Sequence, residues 1–205
     1  SVRVVCVRTN VLAVQHAKMR AGRFVTIKDG KMTQKIKVWD GFIRLFHWLL
    51  VGCVFANLFF TSKGETVHEY VGYTAAALVV LRIVWGFVGS KYARFRDFFP
   101  TPTRLKVHLC ALVKREKEDY LGHNPLGALM IFALIAVILG LGFSGWAQTI
   151  DSPYYAEDWP ETVHETLVVI LQVLVALHVL AVIGMSILTK SDLVGAMFTG
   201  RKKVK

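Results

Sequence analysis

Two histidines stand inside one apolar run near the C-terminus, "VHETLVVILQVLVALHVLAVI" at 163–183: His164 near its start and His178 deep within it. An ionisable side chain at membrane depth is costly and usually faces a bundle interior, a cofactor or an ion pathway. Residues fourteen apart on a helix point within about 40° of each other and lie roughly 21 Å apart along its axis. One helix face therefore offers imidazoles at two depths. Two further histidines, His47 and His68, each lie near the start of another apolar run.

Matched by depth, His68 pairs with His164 and His47 with His178. Two neutral imidazoles fill both axial positions of one haem iron, which leaves no open site for oxygen and favours simple electron transfer. Proton relays usually include buried Asp or Glu, and a zinc or copper site would draw its ligands to one depth. Glu69 and Glu165 each follow an outer histidine at a helix start, where capping or a hydrogen bond to the imidazole accounts for them. The three cysteines, Cys6, Cys53 and Cys110, form no C-x-x-C-H attachment motif. Two haems here would be non-covalent and of b type.

Four runs are long enough to carry such sites across a bilayer, which takes about 20 mostly apolar residues. They lie near 42–61, 69–89, 125–147 and 162–188. The composition agrees: 54% hydrophobic residues with a formal charge of +11. Nucleic-acid binding, the other reading of such basicity, needs a basic face on a soluble fold, whereas these cations sit between apolar runs. The expected fold is all-α, an up-down four-helix membrane bundle whose interior provides an apolar slot for a porphyrin.

Lysine and arginine orient the bundle. Ten precede or begin the first span, eight lie in 90–122 and five follow from Lys190, while 62–68 holds only Lys63 and 148–161 none. Both termini and the middle connection should face the cytoplasm, which makes His47 and His178 the inner pair. The outer connection 148–161 carries Asp151, Glu157, Asp158 and Glu161. That charge could steer a basic partner, or it follows from the asymmetry of membrane loops. Lys63 could attract an anion such as superoxide locally.

Within the cytoplasmic connection, Leu105, Leu109, Leu112 and Val113 recur at helical spacing among basic residues. This reads as a short amphipathic interface helix, with His108 and Cys110 on its surface. Residues 1–36 read as a basic N-terminal extension; of these, 1–31, with His16, precede Met32 and read as an upstream translated extension or a disordered tail. Residues 37–200 form the diheme domain and 201–205 a basic tail. Arg44 and Arg82, near the inner ends of two spans, suit either haem propionates or lipid phosphates. Gly52, Gly72 and Gly140 suit close approach of a macrocycle or ordinary helix packing. Asn124 and Pro125 look like a cap and first turn, with His123 either part of that turn or near a quinone or propionate.

Several stretches resemble the bacterial cytochrome b561 and nickel–iron hydrogenase b-type cytochrome family. They are "VWDGFIRLFHW" at 38–48, "HEYVGY" and "LRIVWGFVGSKYARFRDF" within 68–98, "YLGHNPLGALM" at 120–130 and the 163–183 run. The resemblance covers nearly all of Lys37 to Lys203 and implies a diheme bundle with ligands from spans one, two and four. It carries those roles onto His47, His68, His164 and His178. It further implies a bacterial inner-membrane protein that passes electrons between membrane quinone and a periplasmic redox protein, a small cytochrome c or a hydrogenase. Short outer connections leave little surface for a large enzyme. Arg82, Trp85 and His123 mark the expected quinone region. Two alternatives share the sequence: a superoxide:quinone oxidoreductase on the same frame, and a haem-free proton or metal transporter.

Overall fold

The computed structural model describes residues 23–28, 31–114 and 122–204. Four helices are long and apolar enough to cross a membrane: α1 (Gly41–Phe59), α2 (Thr66–Val88), α5 (Pro125–Ala147) and α6 (Trp159–Thr189). Three shorter ones lie between or after them, α3 (Phe95–Phe98), α4 (Pro102–Val113) and α7 (Leu193–Thr199). The helix starts are written locally. The Asp40 carboxylate accepts from Ile43 N–H at 2.8 Å, and the Asn124 side chain from Gly127 N–H at 2.7 Å. Each satisfies one of the backbone donors that a first turn leaves open. Pro125 and Pro160 occupy first turns, where a missing N–H costs nothing. At its other end α6 stops at Lys190, whose left-handed φ of 50° breaks the helix.

Contacts between elements fix the up-down order. Lys63, between α1 and α2, reaches Glu161 and Glu165 at the start of α6. Asp40, ahead of α1, accepts hydrogen bonds from Trp85 and Ser90 at the end of α2. Trp39, beside Asp40, packs on His123 just before α5, with ring centroids 4.5 Å apart. Helix α2 packs on α1 and α5, and α5 on α6. The buried centre of these contacts is Ala75, Val79, Ile138 and Leu171. Outward, large apolar side chains such as Phe55, Phe87, Val169, Leu180 and Ile187 stay exposed, which suits lipid and not water.

A three-stranded antiparallel sheet, absent from the all-helical expectation, closes one end. Its strands are β1 (Arg23–Lys28), β2 (Lys31–Lys37) and β3 (Arg201–Val204), in the order β1-β2-β3. It joins part of the stretch expected as an extension to the stretch expected as a tail, pairing Lys37 with Arg201. The pairing continues into the loop, where the N–H groups of Val38 and Trp39 both donate to Gly200 O. Gly200 has φ of 74°, and a Cβ there would lie 2.7 Å from Trp39 O, so both conformation and space require glycine. Residues 1–22, with His16, lie outside the described residues.

Helix α4 matches the expected amphipathic segment, but its buried stripe is a different one. His108 is only 2% exposed and Ala111 is buried, with Leu105 and Leu112 half-buried, while Leu109 is exposed. The helix lies against α5, and the 3.6-residue period turns His108 inward together with Ala111. His108 is therefore not a surface residue, a correction to the sequence reading; Cys110 is exposed as expected.

Candidate functional site

The structure brings the four histidines together in the expected pairs. The His47 and His178 ring centroids are 6.5 Å apart, at the sheet end of the bundle. Those of His68 and His164 are 6.2 Å apart at the far end. Neither distance is a stacking contact or a hydrogen bond, so each pair leaves a gap. Metal–imidazole bonds run about 2.0–2.1 Å, and with roughly 1.1 Å from nitrogen to ring centre on each side, an iron between two imidazoles needs centroids about 6.3 Å apart. Both pairs fit that separation. Among the described residues no three His, Cys, Asp or Glu side chains gather into a metal cluster. This matches pairs better than a polydentate zinc or copper site.

At the far end, each imidazole is held by a hydroxyl. Thr61 Oγ1 lies 3.1 Å from His68 Nδ1, and Ser144 Oγ lies 3.0 Å from His164 Nδ1. The Asn57 amide donates to His68 O at 3.1 Å, which ties the first turn of α2 to α1. Ser144 is fully buried and Gln148 donates to its carbonyl. A Cβ on Gly145 would meet the His164 ring at 3.5 Å, so α5 runs directly against that imidazole. The partners expected from sequence, Glu69 and Glu165, are not the ones found at the imidazole nitrogens. Glu165 instead takes Lys63 Nζ at 2.6 Å, as does Glu161. The two carboxylates raise the Lys63 pKa above its usual range through these hydrogen bonds. Two anions on one cation leave no net positive spot there, which removes the expected local attraction for superoxide.

The sheet end is built differently. His47 Nδ1, Arg44 Nε and Arg82 Nη1 are buried and have no hydrogen-bond partner among the described residues. Arg82 is 4% exposed; its Nη2 donates to Ala93 O at 3.0 Å, and its guanidinium lies 4.9 Å from the Phe95 ring centroid. Buried donors of this kind call for an acceptor. His123 sits between Trp39 and Phe98, at centroid distances of 4.5 and 5.0 Å. Burial, then the charge of Arg82, with His178 and His47 behind it, holds its pKa down to about 3. It is a neutral imidazole beside the sheet-end pair, and the Asn124–Pro125 cap follows it as expected. Trp85 donates to Asp40 and stacks on Phe42 at 4.5 Å, tying α2 to the start of α1. Burial raises the Asp40 carboxyl, but hydrogen bonds from Ser90, Ile43 and Trp85 and the charge of Arg82 outweigh it, and the net pKa is low.

Of the three glycines singled out, Gly140 is explained by helix packing, since a Cβ would lie 2.9 Å from Leu167 Cδ1. Gly72 faces Asn57, and a Cβ on Gly52 would meet nothing within 4 Å. The closest glycine contact between spans is one the sequence reading missed: a Cβ on Gly142 would sit 2.8 Å from Ala76 Cβ.

Four membrane-spanning helices enclosing imidazole pairs at two depths define a multi-pass membrane cytochrome of b type, one that moves electrons through non-covalent haem. The chain belongs to the prokaryotic cytochrome b561 family, whose model matches residues 38–200. It is similar to a probable Ni/Fe-hydrogenase B-type cytochrome subunit of Bradyrhizobium diazoefficiens, at 22% identity over 83% of this chain and 87% of that one. A protein of the same description from Azotobacter vinelandii is 24% identical over 83% of this chain and 89% of its own. The Ni/Fe-hydrogenase 1 B-type cytochrome subunit of Escherichia coli K12, also described as probable, is 23% identical over 58% and 62% respectively. No solved structure matches the chain.

Proposed function

We propose that this chain carries electrons across the bacterial inner membrane through two b haems, one between His47 and His178 and one between His68 and His164. The observation that carries this reading is the pair of ring separations, 6.5 and 6.2 Å, each matching an iron held by two imidazoles. His47 and His178 would hold one haem and His68 and His164 the other, and each haem when bound would supply one-electron chemistry. The protein orients the imidazoles, excludes water and sets the local charge.

The sheet end is the cytoplasmic one, since the basic residues of 90–114 and of 201–204 lie there while the opposite connection 148–161 is acidic. Quinone exchanges electrons near the inner pair. Neutral, half-buried His123 between two aromatic rings, with Arg82 and Trp85 nearby, supports that placement. A periplasmic hydrogenase is the partner at the outer face, the assembly to which the names of the relatives refer. A small cytochrome c is the competing partner.

Haem per chain, measured by pyridine haemochrome on detergent-purified protein, tests the reading directly. Two low-spin b haems are expected. One would remove an imidazole pair from the reading, and none would return the histidines to proton or metal chemistry.

A further inference from the structure

The two imidazole pairs differ in what holds the nitrogens that face away from the gap. Thr61 Oγ1 directs its own proton at Asn57, whose backbone and side-chain oxygens lie at 3.4 and 3.2 Å. Ser144 Oγ likewise donates to Leu141 O at 3.3 Å. Each hydroxyl then has only lone pairs left for the imidazole beside it. With the hydroxyl protons so placed, His68 and His164 carry theirs on Nδ1 and donate to those oxygens. That choice of tautomer leaves Nε2 on both rings as the free lone pair for an iron.

A hydrogen bond donated from Nδ1–H pushes electron density toward Nε2 and makes it a more basic ligand. A more basic ligand favours the oxidised, more positively charged iron. At the inner pair, His47 Nδ1 is buried with no such acceptor among the described residues. Fixed charge acts in the same direction. At the outer end Glu161 and Glu165 share Lys63, a net negative group, while at the inner end Arg44 and Arg82 outnumber Asp40. Negative surroundings favour the oxidised state and positive surroundings the reduced one.

We propose that Thr61 and Ser144 are positioning residues that, through His68 and His164, hold the outer centre at the lower potential of the two. The inference rests on the two-haem reading above.

The test is an optical redox titration of the full-length, haem-loaded protein alongside its haem count. In wild type the titration should resolve two waves. Thr61→Val and Ser144→Ala, on different segments, should each move the same lower wave upward and leave the upper wave in place. At fixed ambient potential the reduced-to-oxidised ratio of that centre should rise about two- to tenfold per hydroxyl removed. Tenfold corresponds to about 59 mV for a one-electron couple. Thr61→Ser keeps the acceptor and should leave the wave where it was. Two haems with the upper wave shifted, or with neither shifted, would overturn the inference and leave the two-haem reading intact. Loss of the outer haem from both variants would overturn it too, since the hydroxyls would then secure the group and not tune it. Fewer than two haems in wild type would defeat the underlying reading instead.

Discussion

Arg82 offers the most demanding check on the inner site. Its guanidinium is almost wholly buried, one terminal nitrogen is bound to Ala93 O, the flat face rests near Phe95, and the other terminal nitrogen has no partner among the described residues. Leaving a buried donor unpaired costs about 1–3 kcal/mol, and more when the group is charged. On the two-haem reading proposed above, a propionate of the inner haem would take that nitrogen. Arg82→Met keeps most of the volume and removes the charge. It deletes the Ala93 bond and the cation–π contact, the latter worth about 1–2 kcal/mol, and relieves the unpaired burial, so helix packing changes little. A charge-assisted hydrogen bond to the propionate is worth about 1.5–3 kcal/mol, so the variant should bind the inner haem about 10- to 150-fold more weakly. Transfer of haem to an excess of an apo-acceptor protein reads this directly. The inner haem should leave faster in Arg82→Met and at an intermediate rate in Arg82→Lys, which keeps one donor. Equal transfer rates in all three proteins, with both haems retained, would refute the reasoning and leave Arg82 as a packing element of α2.

Other outcomes follow from the same geometry. His178→Ala and His164→Ala should each reduce the haem count from two to one per chain, with added imidazole restoring the missing low-spin spectrum. Gly142→Ala drives a methyl group into Ala76 Cβ, and overpacking of that kind costs about 1–3 kcal/mol, visible as a lower thermal midpoint in detergent. His123 has a folded pKa near 3 against about 6.5 unfolded, so between those values the unfolded chain binds the extra proton. Its contribution to stability is therefore complete above pH 6.5 and falls as pH drops toward 3, by up to about 1.4 kcal/mol per unit. Thermal midpoints measured from pH 7 to pH 5 should decline more gently in His123→Gln than in wild type.

The sites the sequence reveals are those that membrane depth makes conspicuous. His47, His68, His164 and His178 stand out because an imidazole in an apolar run demands a reason, and helical geometry alone sorts them into pairs. Spans, caps at Asn124 and the up-down order are equally local in origin. Thr61 and Ser144 are not visible in that way, because a hydroxyl in or just after a membrane helix can satisfy itself on a carbonyl about one turn back. Only the folded arrangement shows a hydroxyl within hydrogen-bond reach of each outer imidazole. His108 misleads for a related reason: a basic amphipathic helix has two half-apolar stripes, and which one turns inward depends on α5. The sheet was missed because Lys-rich strands of four to seven residues look like charged flanks, and their pairing joins distant parts of the chain.

That pairing has a consequence for how the protein is made. Strand β2 immediately precedes the first span, yet β3, which lies along it, follows the last. At a synthesis rate of about 5–20 residues per second, roughly 10 to 30 s separate their emergence from the ribosome. All four spans must be in the membrane before β2 can find β3, and the Gly200 carbonyl that fastens Val38 and Trp39 arrives equally late. Closing the sheet thus follows synthesis of the last span and fastens the two ends of the membrane domain to each other.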